Sequence, residues 1–325
     1  MIKRFQLRDG ALLPAEGEDG PIHLYVNPDE AEREAIRRTF RIDDHTLSSA
    51  LDPDEVSRFE SDGQNLMLIW KRPRNYSGAD TLFFDVSSIG LVLLPDRLAV
   101  ISTDDLPLLG VGGRPSLPLR TPLDLLLAIL LSTSHHYLGH LKVIKMIARD
   151  LQEKINASME NKHLIQMFNL SESLVYYINA IDSNGSVLTR LRNHAEKAGF
   201  AAEVVAFIDD LIIENNQCYR QAEIYSTVFS GLMDARGNLV NNNMNMLLKN
   251  LTIINVVFLP LNLIASIGGM SEYSMMTHGL DWRVSYALFS VAMVFVGWVT
   301  AVLLRRIDFG GGPPRRAGPP ARRRR

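Results

Sequence analysis

Four polar residues interrupt an apolar run near the C-terminus: Thr252, Asn255, Asn262 and Ser266, all within residues 251–268. Their spacing is that of one helix face. Extended in steps of four and three, the stripe reads Asn241, Asn245, Leu248, Thr252, Asn255, Leu259, Asn262 and Ser266. A repeat of about 3.5 residues keeps such a stripe on the axis of a left-handed bundle. Amides facing lipid are costly, so these must face protein or water. Two chemistries fit. The polar groups could glue membrane helices together by hydrogen bonds. They could instead line a water-filled pore with amide and hydroxyl oxygens, with Leu248 and Leu259 as apolar constrictions. The pore is preferred, because intramembrane polar stripes mark ion paths. One stripe per chain cannot enclose a pore, so the reading requires a symmetric oligomer. The stripe carries no charge, and its oxygens are hard ligands suited to cations that keep part of their water, such as Mg²⁺.

The elements that must hold this stripe follow from hydropathy. The 325-residue chain has a mean hydropathy of +0.02, yet its apolar residues are concentrated at one end. Residues 251–270 and 284–304 are free of charged side chains, and each is long enough to cross a hydrocarbon core of about 30 Å as a helix. The apolar run from Leu123 to Leu131 is too short and suits a buried helix. Lys249 precedes the first span, Arg305 and Arg306 follow the second, and the intervening loop holds Glu272, Asp281 and Arg283. The positive-inside rule puts both termini in the cytoplasm and the loop outside, with Trp282 and Tyr286 at the outer interface. The first 20 residues lack the apolar core of a signal peptide, and Cys218 is the sole cysteine; both fit a large cytoplasmic part. Residues 305–325 carry eight Arg and one Asp against a whole-chain charge of −2, and read as a disordered basic tail able to meet anionic lipid.

Upstream, residues 1–120 read as mixed α/β. Runs at 66–70, 81–95 and 97–103 have strand character, and 28–40 a charged surface helix after an Asn27-Pro28 start. Residues 110–118 are a Gly-rich linker without the Gly-Lys-Ser/Thr of a phosphate loop. A helix begins at Thr121-Pro122-Leu123-Asp124 and runs to about 157, and a second covers about 160–198 before a stop at Lys197-Ala198-Gly199-Phe200. From there the pattern supports one helix to about 268, roughly 100 Å at 1.5 Å per residue. Such a rod suits a stalk shared with further copies of the chain. Acids along it, Asp209, Asp210, Glu214, Glu223 and Asp234, are either a solvated face or, in a symmetric oligomer, rings that concentrate cations.

Residues 230–234 (SGLMD), 243–254 (NMNMLLKNLTII), 258–265 (FLPLNLIA) and 268–273 (GGMSEY), followed by a second span ending in Arg-Arg, resemble the CorA-type family of divalent-metal transporters. The resemblance is close over about 200–306 and holds in outline for the N-terminal part. It implies a homopentameric membrane protein of α+β class. An N-terminal cytosolic α/β funnel domain (1–199, with a helical hairpin) leads into a stalk helix (200–250) continuous with a pore-lining span (251–270). An external loop with the filter (271–283), an outer span (284–304) and the tail (305–325) follow. The family's pore positions match Asn245, Leu248, Leu251, Leu259, Asn262 and Ser266, beside Thr252 and Asn255 from the stripe. Its acidic stalk ring matches Asp234, and a stalk aspartate that binds regulatory metal aligns with Asp210. The filter matches Gly269, Met270 and Ser271, with Glu272 beside it. Here the chain departs from the family: Ser271 stands for the asparagine of Gly-Met-Asn, and Gly268 for an aromatic residue. The zinc-transporting branch also varies this motif, and the branch that includes CmaX is another point of resemblance.

Other constellations are weak. His136 and His140 lie four apart, a metal-ligand spacing, but no further ligands accompany them, and a hydrogen-bonded structural role is expected. No nucleophile triad, Cys-His pair or dinucleotide fingerprint is present, so an enzyme is not expected. The expected function is transport of Mg²⁺, Zn²⁺, Co²⁺ or Ni²⁺ across the inner membrane. Divalent cations would be substrate and regulatory ligand (Mg²⁺, Zn²⁺), with no resident cofactor. The partners expected are copies of the chain, lipids and the metal ions, not nucleic acid. The rivals are proton-driven zinc uptake and a non-conducting scaffold that kept the fold.

Overall fold

The computed structural model describes residues 1–15, 20–62, 65–74, 82–105, 107–108, 119–157, 161–279 and 281–309. The expected linker at 110–118 and tail residues 310–325 lie outside these. The chain divides into two compact units, Met1–Met233 and Asp234–Arg325.

The first unit is built on a seven-stranded sheet. Its strands are β1 (Ile2–Arg8), β2 (Ala11–Pro14), β3 (Ile22–Val26), β4 (Arg58–Asp62), β5 (Asn65–Pro73), β6 (Val86–Leu93) and β7 (Leu98–Ser102), in the order β2-β1-β3-β7-β6-β5-β4. Only the β3–β7 pair is parallel. The central strands read as unbroken apolar runs because both faces are covered. On one face Met67, Ile69, Val92 and Ile101 meet Ile36 and Phe40 of α1 (Glu30–Phe40) and Leu47 and Ala50 of α2 (Asp44–Leu51). On the other, Leu66, Leu68, Trp70, Ile89 and Leu91 meet Leu125–Leu130 of α3 (Pro122–Ala157) and Val187, Leu188 and Leu191 of α4 (Asn161–Lys197).

The helix ends follow their caps. Thr121 Oγ1 accepts from Asp124 N at 3.2 Å, and Asp124 Oδ2 accepts from Thr121 N at 2.9 Å, closing a capping box at α3. After α4, Gly199 takes φ +70° and Phe200 N donates to Ala195 O at 3.0 Å, a Schellman stop that only a residue tolerant of the left-handed region closes cheaply. The start of α1 is corrected: Asp29, not Asn27-Pro28, is the cap, in a reciprocal box with Glu32. The strand expected over 81–95 is confined to Val86–Leu93, and β1 to β4 and α2 were not anticipated.

Helix α5 (Ala202–Gly268) begins in the first unit, where Ile208 and Leu211 join the core under the sheet. Further along, Cys218, Ala222 and Phe229 pack with Tyr137, Leu141, Leu174 and Tyr177 of α3 and α4. This packing carries the first unit to Met233, beyond the boundary expected at 199. One buried amide pins α4 to the sheet. Asn184 Oδ1 accepts from Ser57 Oγ at 2.8 Å and Lys71 N at 3.0 Å, and its Nδ2 donates to Lys71 O at 2.8 Å.

The second unit holds the rest of α5, the short α6 (Ser271–Met276) and α7 (Trp282–Phe309). Among the described residues, two helices are long and apolar enough to cross a membrane, α5 and the Trp282–Leu304 part of α7. Two details differ from expectation. The stretch 271–283 contains α6, and residues 305–309, expected to be disordered, continue α7. No glycine or proline lies between Arg305 and Phe309, so nothing in these residues breaks the helix.

Candidate cation path

In the second unit, the stretch of α5 from Asn245 to Ser266 shows two faces. Asn245, Leu248, Leu251, Thr252, Asn255, Leu259, Asn262 and Ser266 are all exposed, while Ile253, Val257, Leu261, Ile264 and Gly268 are partly covered. At about 100° per residue, the mean direction of Thr252, Asn255, Leu259, Asn262 and Ser266 lies about 180° from that of the covered set. The covered face meets α7. A Cβ built at Gly268 would lie 2.4 Å from Phe289 Cζ, and one at Gly297 would lie 3.4 Å from Leu261 Cδ1. Positions 261 and 268 on α5 thus meet 297 and 289 on α7, an antiparallel hairpin closed through two glycines. The polar stripe takes no part in it, so its amides are not glue between the two helices of one chain.

The stripe presents acceptor oxygens. Thr252 Oγ1 donates to Leu248 O at 2.8 Å, which spends its proton on the helix and leaves its lone pairs outward. The amides of Asn255 and Asn262 find no partner among the described residues. Leu248 and Leu259 are 54% and 70% exposed, apolar rungs between the polar ones. Helix α5 runs through Pro260, whose missing N–H frees the carbonyl one turn earlier, at Val256.

The expected filter lies where α5 ends. Gly269 N donates to Ala265 O at 3.1 Å and Met270 N to Ile267 O at 3.1 Å, tightening the last turn. Ser271 opens α6, and its Oγ donates to Glu272 Oε2 at 3.3 Å; both side chains are exposed. Gly268, where the resemblance leads us to expect an aromatic, has a physical reason visible only in three dimensions: the Phe289 ring fills the space beside it. The sequence signal was present, since Gly268 and Gly297 are small residues in otherwise bulky apolar runs. Asp281 caps α7, accepting from Arg283 N at 2.9 Å, and the Arg283 guanidinium lies 5.4 Å from the Trp282 ring centre.

The remaining expected ligands stand apart. Asp210, on the part of α5 in the first unit, and Asp234, where the second begins, are both exposed with no partner among the described residues. Its neighbour Asp209 is instead paired with Arg192 at 2.8 Å. Among the described residues, no group of three or more His, Cys, Asp or Glu could hold a metal within one chain. His136 and His140 have the expected structural setting. Their ring centres are 4.4 Å apart, and His140 Nδ1 lies 2.6 Å from Tyr177 Oη. Burial, then the neighbouring His136, lowers the His140 pKa to about 4, so both rings are neutral near pH 7.

Residues 22–306 match the family described as CorA-like Mg²⁺ transporter protein. The chain is 23% identical over 289 residues to the cobalt/magnesium transport protein CorA of Methanocaldococcus jannaschii, covering 84% of this chain and 89% of that one. The complete structure of the CorA magnesium transporter from the same organism superposes with a TM-score of 0.74 at 21% identity, covering 94% of this chain and 96% of that chain. The full-length CmaX protein superposes with a TM-score of 0.69 at 13% identity over the same shares. A polar stripe turned away from the chain's own second span, and a family match across both units, lead to one conclusion: the chain belongs to the CorA-like Mg²⁺ transporter family.

Proposed function

We propose that the chain assembles as a homopentamer around the α5 stripe and passes hydrated divalent cations through the centre. The observation that carries this reading is the opposition of the two α5 faces: one meets α7, and on the other the side chains of Asn255, Asn262 and Ser266 have no hydrogen-bond partner among the described residues while Thr252 bonds back to Leu248 O. Copies around an axis turn each of these residues into a ring of oxygens. Mg²⁺, which dehydrates reluctantly, would be handled through its water shell, and Co²⁺ likewise. Zn²⁺ and Ni²⁺ are further substrates on this reading. The relatives' names, cobalt/magnesium and magnesium transport, support the first pair. Gly269, Met270, Ser271 and Glu272 form the entrance, where a ring of Glu272 carboxylates attracts cations by charge. Asp234 supplies an acidic ring and Asp210 a regulatory metal ligand between copies; no resident cofactor is required. Lys249, Arg305 and Arg306 support an inner-membrane protein with both termini cytoplasmic.

The test is flux of Mg²⁺, Co²⁺, Ni²⁺ and Zn²⁺, each alone, into proteoliposomes. Uptake down the metal gradient without a pH gradient is expected. Zinc uptake that requires an imposed pH gradient would favour proton coupling, and no uptake of any metal would favour a scaffold.

A further inference from the structure

The first unit leaves two apolar helix faces uncovered. On α4, Ile165, Phe168, Val175 and Tyr176 are exposed and fall within about 100° of one another at about 100° per residue. On α5, Ile213, Ile224 and Val228 are exposed and fall within about 60°. Each face is turned away from the residues its helix packs with: Leu170, Leu174 and Tyr177 on α4, and Cys218, Ala222 and Phe229 on α5. Exposed apolar surface of this kind marks a contact. Two such faces, on different sides of one unit, are what a ring of copies requires, because each copy there meets the next through two different surfaces.

The two faces are complementary in charge. The α5 face is a groove around Arg220, whose other lining residues are uncharged; the guanidinium makes no ion pair among the described residues. The α4 face runs into a cavity of about 780 Å³ between α4, residues 53–59 and Lys71 of β5. Its acids are Asp54, Asp85 and Asp182, and its bases Lys71 and Arg190. Asp85 is held by Arg74 at 3.1 Å, and Lys71 donates to Pro53 O. Asp54 and Asp182 have no ion pair among the described residues. At one end the Phe83 and Tyr176 rings meet at 6.2 Å, and Glu172 accepts from the Tyr176 hydroxyl at 3.3 Å. Arg190 stands at the other end, about 21 Å along α4 at 1.5 Å per residue. The Tyr176 end is thus the one open to a cation.

Height along the helices matches the faces. Helices α4 and α5 are antiparallel, and Asn215 Nδ2 donates to Ile181 O at 3.0 Å. Stepping down α5 and up α4 from that bond brings Arg220 level with Tyr176 and Val228 level with Phe168. Rotation about an axis along α5 leaves every height unchanged. Neighbouring copies therefore present Arg220 at the acidic end of the cavity and Val228 at the apolar end of the α4 face. We propose that the α5 groove of one copy docks on the α4 face of the next, with Val228 against Phe168 and Arg220 against Glu172. The inference rests on the cyclic assembly of the previous subsection and assigns the surfaces that close it.

The test uses the full-length protein in mild detergent, carrying Phe168→Cys and Val228→Cys together. Both positions are exposed, at 57% and 52%, so neither change disturbs a core, and Cys218 is buried. Oxidation should give a ladder of disulfide-linked chains on a non-reducing gel, reaching five. Either cysteine alone should give no linked species, because each face meets the other and not itself. Arg220→Glu in the double-cysteine background should slow ladder formation by about tenfold or more, since it sets like charges against each other. Adding Glu172→Lys should restore much of the rate. Native mass spectrometry of the reduced samples separates the two levels of the argument. Pentamers that give no ladder, dimers from a single cysteine, an Arg220→Glu variant that links at the original rate, or a charge swap that restores nothing would each overturn the docking. Monomers alone would remove the assembly itself, and the docking with it.

Discussion

Replacing Gly268 with alanine should destabilise the α5–α7 hairpin. The new Cβ would sit 2.4 Å from Phe289 Cζ and 2.6 Å from Cε2, where carbon atoms normally keep about 3.5–4.0 Å. The ring must retreat by about 1 Å, and forcing extra volume into a packed contact costs about 1–3 kcal/mol. Helix propensity acts in the opposite sense, favouring alanine by up to ~1 kcal/mol, less at the last residue of a helix. The clash should win. Reversible unfolding of the full-length protein in mixed micelles would then show an equilibrium roughly 5- to 50-fold less favourable. The decisive comparison is the double mutant. With Phe289→Ala the ring is gone, so Gly268→Ala should become neutral or stabilising, a reversal of sign that isolates the contact. The same cost in both backgrounds, or none in either, would refute the packing argument.

Asn262→Leu should abolish metal flux while leaving assembly intact, because it replaces an amide ring with an apolar one that dewets; flux assays paired with size-exclusion profiles decide it. Ser271→Asn should shift preference toward Mg²⁺ over Zn²⁺, since the longer amide reaches further toward the hydrated ion, whereas Glu272→Gln should lower flux of all metals in parallel. Competition uptake separates a changed ratio from a changed rate. Asn184→Ala should cost the first unit about 3 kcal/mol or more, because it strands the buried N–H and C=O of Lys71; denaturant unfolding reads this directly. His140 contributes an acid-sensitive term. Its folded pKa is about 4 against ~6.5 when unfolded, so the unfolded chain takes up the proton first. Stability is lost as pH falls from about 6.5 to about 4 and levels below. His140→Phe should flatten that limb in unfolding scans at several pH values.

The long helices were legible because their signals are local. The Thr121–Asp124 box, the Gly199 stop and the uninterrupted pattern to Gly268 each lie within a few residues of what they determine. The small strands were not. β2 has four residues, β1 is only partly buried, and β4 carries Arg58, Glu60 and Asp62, so none shows the apolar alternation that marks a strand. Their pairing depends on neighbours far along the chain. The polar stripe could be read from spacing alone, but the face opposite it could not, because that face is defined by Phe289 and Gly297 on another helix. Gly268 illustrates the difference. In sequence it is a departure from a motif; in the fold it is the gap that receives a ring.

The central claim is that the Thr252–Ser266 stripe, and not the opposite face of α5, borders the cation path. Cys218 is fully buried, and burial raises its thiol pKa to about 12, so it is a nearly silent background for introduced cysteines. Single cysteines at 252, 255, 259, 262 and 266, and for contrast at 253, 257, 261 and 264, can be treated with a small charged thiol reagent in proteoliposomes while metal flux is recorded. The account predicts modification and block at the first set and inertness at the second. Equal reactivity on both faces, or a stripe that never reacts while flux continues, would contradict it.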